Sequence, residues 1–512
     1  MIMRVRKPAV WGILLAILLA TGCHTDAPAL SQSRQTTSGV VSGRIEAPYA
    51  GMPATGTPAL ALFFENAITE EAMVVPVLAG QGDYHASLPP GTYHLYTWLP
   101  DLSARGIYST CPGTGECRAH TLEPFEVTAG TETTGIDIVD WHAPSSVPIA
   151  LVGRVFDGTG TEPLADGVVL IQNSRILAVG PSAEIDIPDA ATVLDLHDAT
   201  ILPGLINTHV HNAYLPANLR TWLREGVTTV RDLGAPLGSG YFSRRDELRV
   251  HPHYARVVSA GPIVTVPGGY PTSRIACLTI DSPEDARREI ARLLVEGSDV
   301  IKITVESGGG STLSTAEIEA IVETAHASDI PVTAHVTKSG DLERALACGV
   351  DDMAHMVTDH VSRSTLRQMV KEGTYWIPTL VALNGEGASN LKRFVAAGGK
   401  VALGTDAGYL AGLRIGLPIA EMSAMQEAGM TPMQILVAAT RNAAEVCRLD
   451  GLLGTIEVGK LADLLVVEGN PLHDLKALQN VRIVIHGGTI VRLDSAELEM
   501  ADGGQVDEDT SR

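Results

Sequence analysis

The chain has 512 residues, of which 45% are hydrophobic and 19% charged. That apolar content supports more than one buried core and excludes a globally disordered chain. Lys and Arg number 37 against 59 Asp and Glu, a net charge of −22, which argues against nucleic-acid binding, because phosphate recognition draws on clustered Lys and Arg.

In chain order, residues 1–23 read as a lipoprotein signal peptide. Arg4, Arg6 and Lys7 make a basic start, and an apolar run from Ala9 to Ala20 follows. The run is too short to span a bilayer comfortably and suits the hydrophobic part of a signal peptide. It ends in Leu19-Ala20-Thr21-Gly22-Cys23, which resembles a bacterial lipobox. Cys23 would then be the lipidated first residue; the alternative is a plain signal peptide with an incidental Cys. His24, not Asp, follows it, so nothing signals retention in the inner membrane. The expectation is a lipid-anchored protein of the bacterial cell envelope, on the outer membrane and facing the periplasm.

Residues 24–38, rich in Ser, Thr, Gln and Pro, predict a tether. Residues 39–140 alternate short β-rich runs (VVSGRI, ALALFF, GTYHLYTWL) with turn signals, which predicts an all-β accessory domain. Its stretch GDYHASLPPGTYHLYTW resembles transthyretin-like accessory domains, whose expected role is spacing or docking. Cys111 and Cys117 flank a Gly/Pro-rich loop; a local disulfide and two free thiols both stay open. A metal site there is disfavoured, since His120 adds a third ligand but no fourth is evident. Cys277, Cys348 and Cys447 sit in apolar or helical contexts and read as core residues.

After a linker near Trp141–Pro148, β-rich segments at 149–201 and 450–495 predict one β-sandwich split in sequence. Between them, in 202–449, eight apolar strand candidates alternate with helical stretches: LINTHVH, VTTVRDLG, ARVVSAG, DVIKITV, PVTAHV, DDMAHM, TYWIPTL and KVALGTDAG. Eight such units in about 250 residues predict an α/β fold, a (β/α)8 TIM-like barrel. A doubly wound sheet is the alternative, but usually has fewer strands. Ser282 or Asp281 is the expected cap of one helix, and Ser314 with Glu317 the capping box of another. The helix between the second and third strands has the weakest pattern. Residues 496–512 read as a flexible acidic tail.

The chemistry concentrates at strand ends. His209 and His211 stand in HVH, and residues i and i+2 of a strand point to one side. Lys302 lies within the apolar strand VIKITV. A buried ammonium is costly; carboxylation by CO2 would make it a carbamate able to bridge two metals. His335, His355 and Asp406 close the fifth, sixth and eighth strands. Alone, each has a bland explanation: a satisfied core His, or an Asp capping a turn. Six ligand-type groups at matching strand ends are not explained that way. His251 and His253, in HPHY, form a similar pair without a partner cluster and read as a surface or packing feature.

The order HVH, Lys, His, His, Asp resembles the amidohydrolase superfamily, in its imidazolonepropionase-like and prolidase-like (Xaa-Pro dipeptidase-like) branch. The resemblance spans roughly Ala150 to Asp494 and includes LPGLINTHVH, LREGVTTVRDLG and LGTIEVGKLADLLVV. It implies two divalent metal ions, zinc by default, with iron, manganese or nickel as substitutes. His209, His211 and Asp406 would hold one, His335 and His355 the second, and carboxylated Lys302 both. It implies a hydroxide between the metals that attacks a carbonyl, with Asp406 as the catalytic proton carrier. Lys302 separates the chain from single-metal imidazolonepropionases. Ala354 and Tyr270 depart from residues common in relatives, acidic and His respectively.

Tyr270, Lys338 and Gly308–Gly310 are candidate substrate contacts. SGGGST lacks the Gly-Lys-Ser/Thr ending of a phosphate loop. The expected activity is hydrolysis of C–N bonds in small amides, peptides or cyclic amides. An esterase or lactonase, and a non-catalytic barrel that only binds, are the alternatives. Expected partners are a small-molecule substrate and the membrane through the lipid anchor; self-association is left open.

Overall fold

The computed structural model describes residues 38–46, 60–68, 72–78, 80–98, 105–109, 122–142, 147–238, 240–249, 251–410 and 412–493. The signal-like start with Cys23, nearly all of the tether, Cys111, Cys117, His120 and the acidic tail lie outside the described residues. Among those residues, no helix is long and apolar enough to cross a membrane.

Alternating apolar residues build the N-terminal module from two sheets. Gly39–Arg44 pairs antiparallel with Asp83–Leu88 and parallel with Glu132–Thr133. The second sheet runs Ala72–Val77, Leu60–Asn66, Gly91–Trp98, Arg105–Ile107, Asp140–His142, and Phe125–Val127 also pairs with Gly91–Trp98. In Asp83–Leu88 every second residue is buried. Tyr84, Ala86 and Leu88 thus join Leu62, Phe64 and Leu95 in one apolar cluster, as period-two strands require.

The flanks of the barrel come together in space. Their strands pair in the order Arg175–Pro181, Leu164–Gln172, Ile149–Val155, Thr192–Pro203, Leu464–Val467, Val481–His486, Thr489–Leu493. The pattern predicted a split sandwich; the pairing is one continuous seven-stranded sheet. Its cluster draws Leu151, Val169 and Leu194 from one flank and Leu464, Val466 and Ile483 from the other.

Between the flanks lies the barrel. Its strands are β1 (Leu205–Val210), β2 (Val227–Asp232), β3 (Arg256–Ser259, resumed at Val264–Thr265), β4 (Ile301–Thr304), β5 (Val332–His335), β6 (Asp352–Ala354), β7 (Tyr375–Ile377) and β8 (Lys400–Val401). Neighbours pair in parallel from β1 round to β8. The ring closes where Thr208 N–H donates to Leu403 O, His211 N–H donates to Ala407 O, and Val210 bridges Ala407 in parallel. This is a TIM-type barrel beside a β-rich domain. Helices return the chain between strands. Ser282 caps Pro283–Glu296, which stops at left-handed Gly297, and Ser314 and Glu317 form a capping box on Thr315–His326. The weakly patterned segment is also a helix, Tyr241–Arg249; it buries Phe242, Arg245 and Leu248.

Two polar features brace this frame. Inside the barrel, fully buried Arg231 of β2 donates to both carboxylate oxygens of Asp352 of β6, at 3.0 and 2.9 Å, and from Nε to Thr208 O at 2.7 Å. At the junction with the N-terminal module, His251 is fully buried. Its Nε2 lies 2.6 Å from Tyr96 Oη, its ring stacks on Tyr254 at 3.8 Å, and Phe63 meets it edge-on at 4.7 Å. His251 of HPHY is therefore packing between modules.

Candidate active site

Strand geometry brings the ligand-type side chains to one end of the barrel, the C-terminal end where barrel enzymes work. His209 and His211 project together from β1. The segment after β8 is stitched to them, with Asp406 N–H donating to His209 O at 2.8 Å. Asp406 Oδ1 then lies 2.9 Å from His211 Nε2 and 3.3 Å from His209 Nε2. One donor atom from each of these three residues falls within 4.8 Å of the others. The His355 ring, past β6, is 4.8 Å from that of His209 and 4.4 Å from that of His335, the last residue of β5. Lys302 of β4 opens onto the same cavity. All six sequence-derived ligand candidates therefore line one space.

Their surroundings set their charge. Burial, then the Lys302 charge, pushes His209 down to about 3. Burial, then His335, holds His355 well below its ordinary value. Burial also lowers His335, against the opposing pull of the nearby Glu306 carboxylate. Each of these shifts favours the neutral imidazole, the form that ligates metals. Burial would raise the Asp406 carboxyl, but the charge and hydrogen bond of His209 outweigh it and hold Asp406 well below the usual range. Burial brings the Lys302 amine down to about 7.

The residues fit a metal centre. Among the described residues, Lys302 Nζ is a buried polar atom without a hydrogen-bond partner. Such orphans are rare unless something binds them. Imidazole nitrogen and carboxylate oxygen are the donors that first-row divalent metals take.

Supporting contacts hold these groups in place. His355 Nδ1 shares a 2.8 Å hydrogen bond with Thr379 Oγ1, which turns Nε2 to the cavity side. The turn carrying Thr379 is clamped by buried Glu421, whose two oxygens accept Leu380 N–H at 2.7 Å and Val381 N–H at 2.9 Å. His355, Thr379 and Asp406 all adopt left-handed backbone, with φ of 71°, 47° and 63°. Non-glycine residues seldom do so, and such strain gathers at functional sites.

Gly404 makes room for this packing. A Cβ there would lie 2.4 Å from Ile377 Cγ2 and 2.8 Å from His209 Cβ. Gly404→Ala is expected to cost about 1–3 kcal/mol, as overpacking does, and to weaken metal binding by moving His209. Urea midpoints and metal titration check this; a variant matching the parent in both would show that the neighbours yield freely.

The cavity has a volume of about 670 Å³. Tyr270 lines it, with its ring 4.7 Å from that of His335, as do Gly308 and Gly309. Lys338 is not among the lining residues. It is the exposed cap of helix Ser339–Ala347, and its ammonium donates to Thr358 Oγ1 at 3.0 Å. The sequence reading omitted three residues: Glu306, which lines the cavity 3.7 Å from His335 Nε2; Arg274, also lining it; and Thr379. Glu306 carried a signal, since Lys302, Thr304 and Glu306 continue the period of β4 and all three line the cavity.

A closed parallel barrel with such a centre at its C-terminal mouth defines a class of metal-binding barrel proteins. The family model described as amidohydrolase family matches residues 200–491, more than half of the chain, and the chain belongs to that family. The N-terminal module precedes the match. Ochratoxinase of Aspergillus niger is 25% identical over 417 residues, covering 67% of this chain and 85% of that protein. Imidazolonepropionase of Geobacillus kaustophilus is 25% identical over 395 residues, covering 64% and 90%. Among solved structures, a Xaa-Pro dipeptidase with methionine bound in its active site is 26% identical, with a TM-score of 0.61 over 67% of this chain and 99% of that one. A prolidase complexed with N-methylphosphonate-L-proline is also 26% identical, with a TM-score of 0.58 over 68% and 100%.

Proposed function

We propose that this chain is a metal-dependent hydrolase of C–N bonds in small amides, peptides or cyclic amides. The observation that carries the reading is the convergence of His209, His211, Lys302, His335, His355 and Asp406 on one cavity at the barrel mouth. His209, His211 and Asp406 would hold one divalent ion, zinc by default, and His335 and His355 a second. Lys302, carboxylated by CO2, would serve both. Divalent ions so held supply activation of water and polarisation of a carbonyl. The residues do the remaining work. Asp406, ionised and aimed at His209 and His211, accepts the proton of the attacking water and returns it to the leaving amine. Tyr270 and Leu383 line the cavity beside these groups. Relatives named for hydrolysis of ochratoxin, imidazolonepropionate and Xaa-Pro dipeptides support the reading.

Metal analysis of the purified protein beside a Lys302→Ala variant, followed by an amide, dipeptide and lactone panel, tests it. Two metals per chain, falling to one or none in the variant, are expected, with turnover of an amide. One metal in both proteins would overturn the shared role of Lys302. Metal-loaded protein inert on the whole panel would overturn the hydrolase.

A further inference from the structure

A carboxylate close to the centre has no part in the chemistry proposed so far. Asp232 closes β2 and is fully buried, yet it does not line the cavity. Among the described residues it pairs with no Lys or Arg, and its oxygens are surrounded by neutral donors. Ala213 N–H reaches Oδ2 at 2.9 Å, Tyr241 Oη–H reaches Oδ2 at 3.2 Å, and Gly234 N–H reaches Oδ1 at 3.0 Å. Taking a carboxylate out of water without a cation is costly, so its place here needs a reason.

The reason lies in what its partners hold. His211 Nε2 faces Asp406, and Nδ1 on the other side of the ring lies 3.5 Å from Gly234 O. A carbonyl there favours the proton on Nδ1 and frees the Nε2 lone pair for a metal. The Gly234 backbone comes close to the ring, since a Cβ on Gly234 would lie 3.0 Å from Nδ1. Asp232 grips the N–H of that same residue. With its other oxygen it grips Ala213, just past His211, while Leu233 N–H donates to Val210 O, just before it. Ring and backbone of His211 are thus fixed from one point. A line of hydroxyls supports the carboxylate in turn. Ser259 Oγ accepts Gly261 N–H at 3.1 Å and donates to Tyr241 Oη at 3.0 Å. Each donor points on toward Asp232, an arrangement in which hydrogen bonds strengthen one another.

On the metal-centre reading given above, we propose that Asp232 is a positioning residue. It sets the tautomer and the aim of His211, and through them the affinity for the ion that His209, His211 and Asp406 would hold. Tyr241, the first residue of helix Tyr241–Arg249, is its support.

The test titrates the full-length protein, stripped of metal, with Zn(II) and with Co(II), beside Asp232→Asn, Tyr241→Phe and Tyr84→Phe. Asparagine keeps the size of the side chain but turns an NH2 group toward one of the N–H donors. Asp232→Asn is expected to bind one ion roughly 10- to 100-fold more weakly, as loss of an outer partner of a ligand does, and to alter the visible absorption of bound Co(II). Tyr241→Phe removes one donor and keeps the carboxylate, so it moves the same constant in the same direction by less. Tyr84→Phe loses a buried hydroxyl bond to Ile136 O in the N-terminal module and serves as the control for general loosening; its metal constants and Co(II) spectrum stay those of the parent. Parent-like affinity and spectrum in both Asp232→Asn and Tyr241→Phe, or an equal loss of affinity in Tyr84→Phe, would overturn the role of Asp232. Where Asp232→Asn does not fold, Tyr241→Phe decides, and an unchanged constant there overturns it. None of these readouts needs turnover. A parent that binds metal and hydrolyses nothing sinks the hydrolase alone, while the variants still decide on Asp232; a parent that binds no divalent ion sinks both.

Discussion

Asp406→Asn is expected to lower kcat by roughly 10²–10⁴-fold, the usual range for loss of a positioned proton carrier. Asparagine keeps the size of the side chain but cannot take a proton. It also replaces an ionised oxygen facing two imidazoles, at 2.9 and 3.3 Å, with a neutral group. Two effects follow, and they separate in measurement. The proton role appears in kcat at saturating substrate and metal. The ligand role appears as weaker metal binding in a titration. If kcat stays within about threefold of the parent in the metal-saturated variant, well below that range, Asp406 is a ligand only and the proton passes elsewhere.

The second large effect is on stability. Asp352→Ala is expected to destabilise the fold by about 3–5 kcal/mol, the cost of stranding one partner of a buried ion pair. Arg231 is fully enclosed in the barrel, and Asp352 provides both of its charge-bearing contacts. Without Asp352 the guanidinium keeps only Thr208 O, in surroundings that disfavour a bare charge. Urea denaturation measures the loss. Replacing both partners with apolar residues, Arg231→Met with Asp352→Leu, should recover most of it, since the penalty comes from the unpaired charge. A loss under about 1 kcal/mol in the single variant, far below the cost of a stranded partner, would mean that water reaches the site.

Much of the barrel and of the candidate centre could be read in the letters because the signals were local. Apolar runs separated by capped helices marked the strands, and HVH placed two imidazoles on one face by periodicity alone. Lys302 stood out because a lone ammonium in an apolar strand needs an explanation. What was illegible depends on contacts across the ring. Arg231 looks like any charge on a half-exposed strand until β6 sets Asp352 opposite it. Thr379 and Glu421 are 42 residues apart in sequence, and nothing local says that one clamps the turn holding the other. Lys338 follows a ligand strand closely, but the start of a helix turns it outward to Thr358. The helix Tyr241–Arg249 has few apolar residues and buries an arginine, so its amphipathic signal was weak.

The seven-stranded sheet has a consequence for how the chain is made. Strand Thr192–Pro203 pairs along one side with Leu464–Val467, which the ribosome adds about 260 residues later. At typical elongation rates that interval is roughly 10–50 s. For all of it, the later half of that strand presents bare N–H and C=O groups to whatever is near, and an open strand edge invites pairing with another chain. Yield in the cell should thus depend on what shelters that edge during synthesis, a demand that the finished molecule no longer makes.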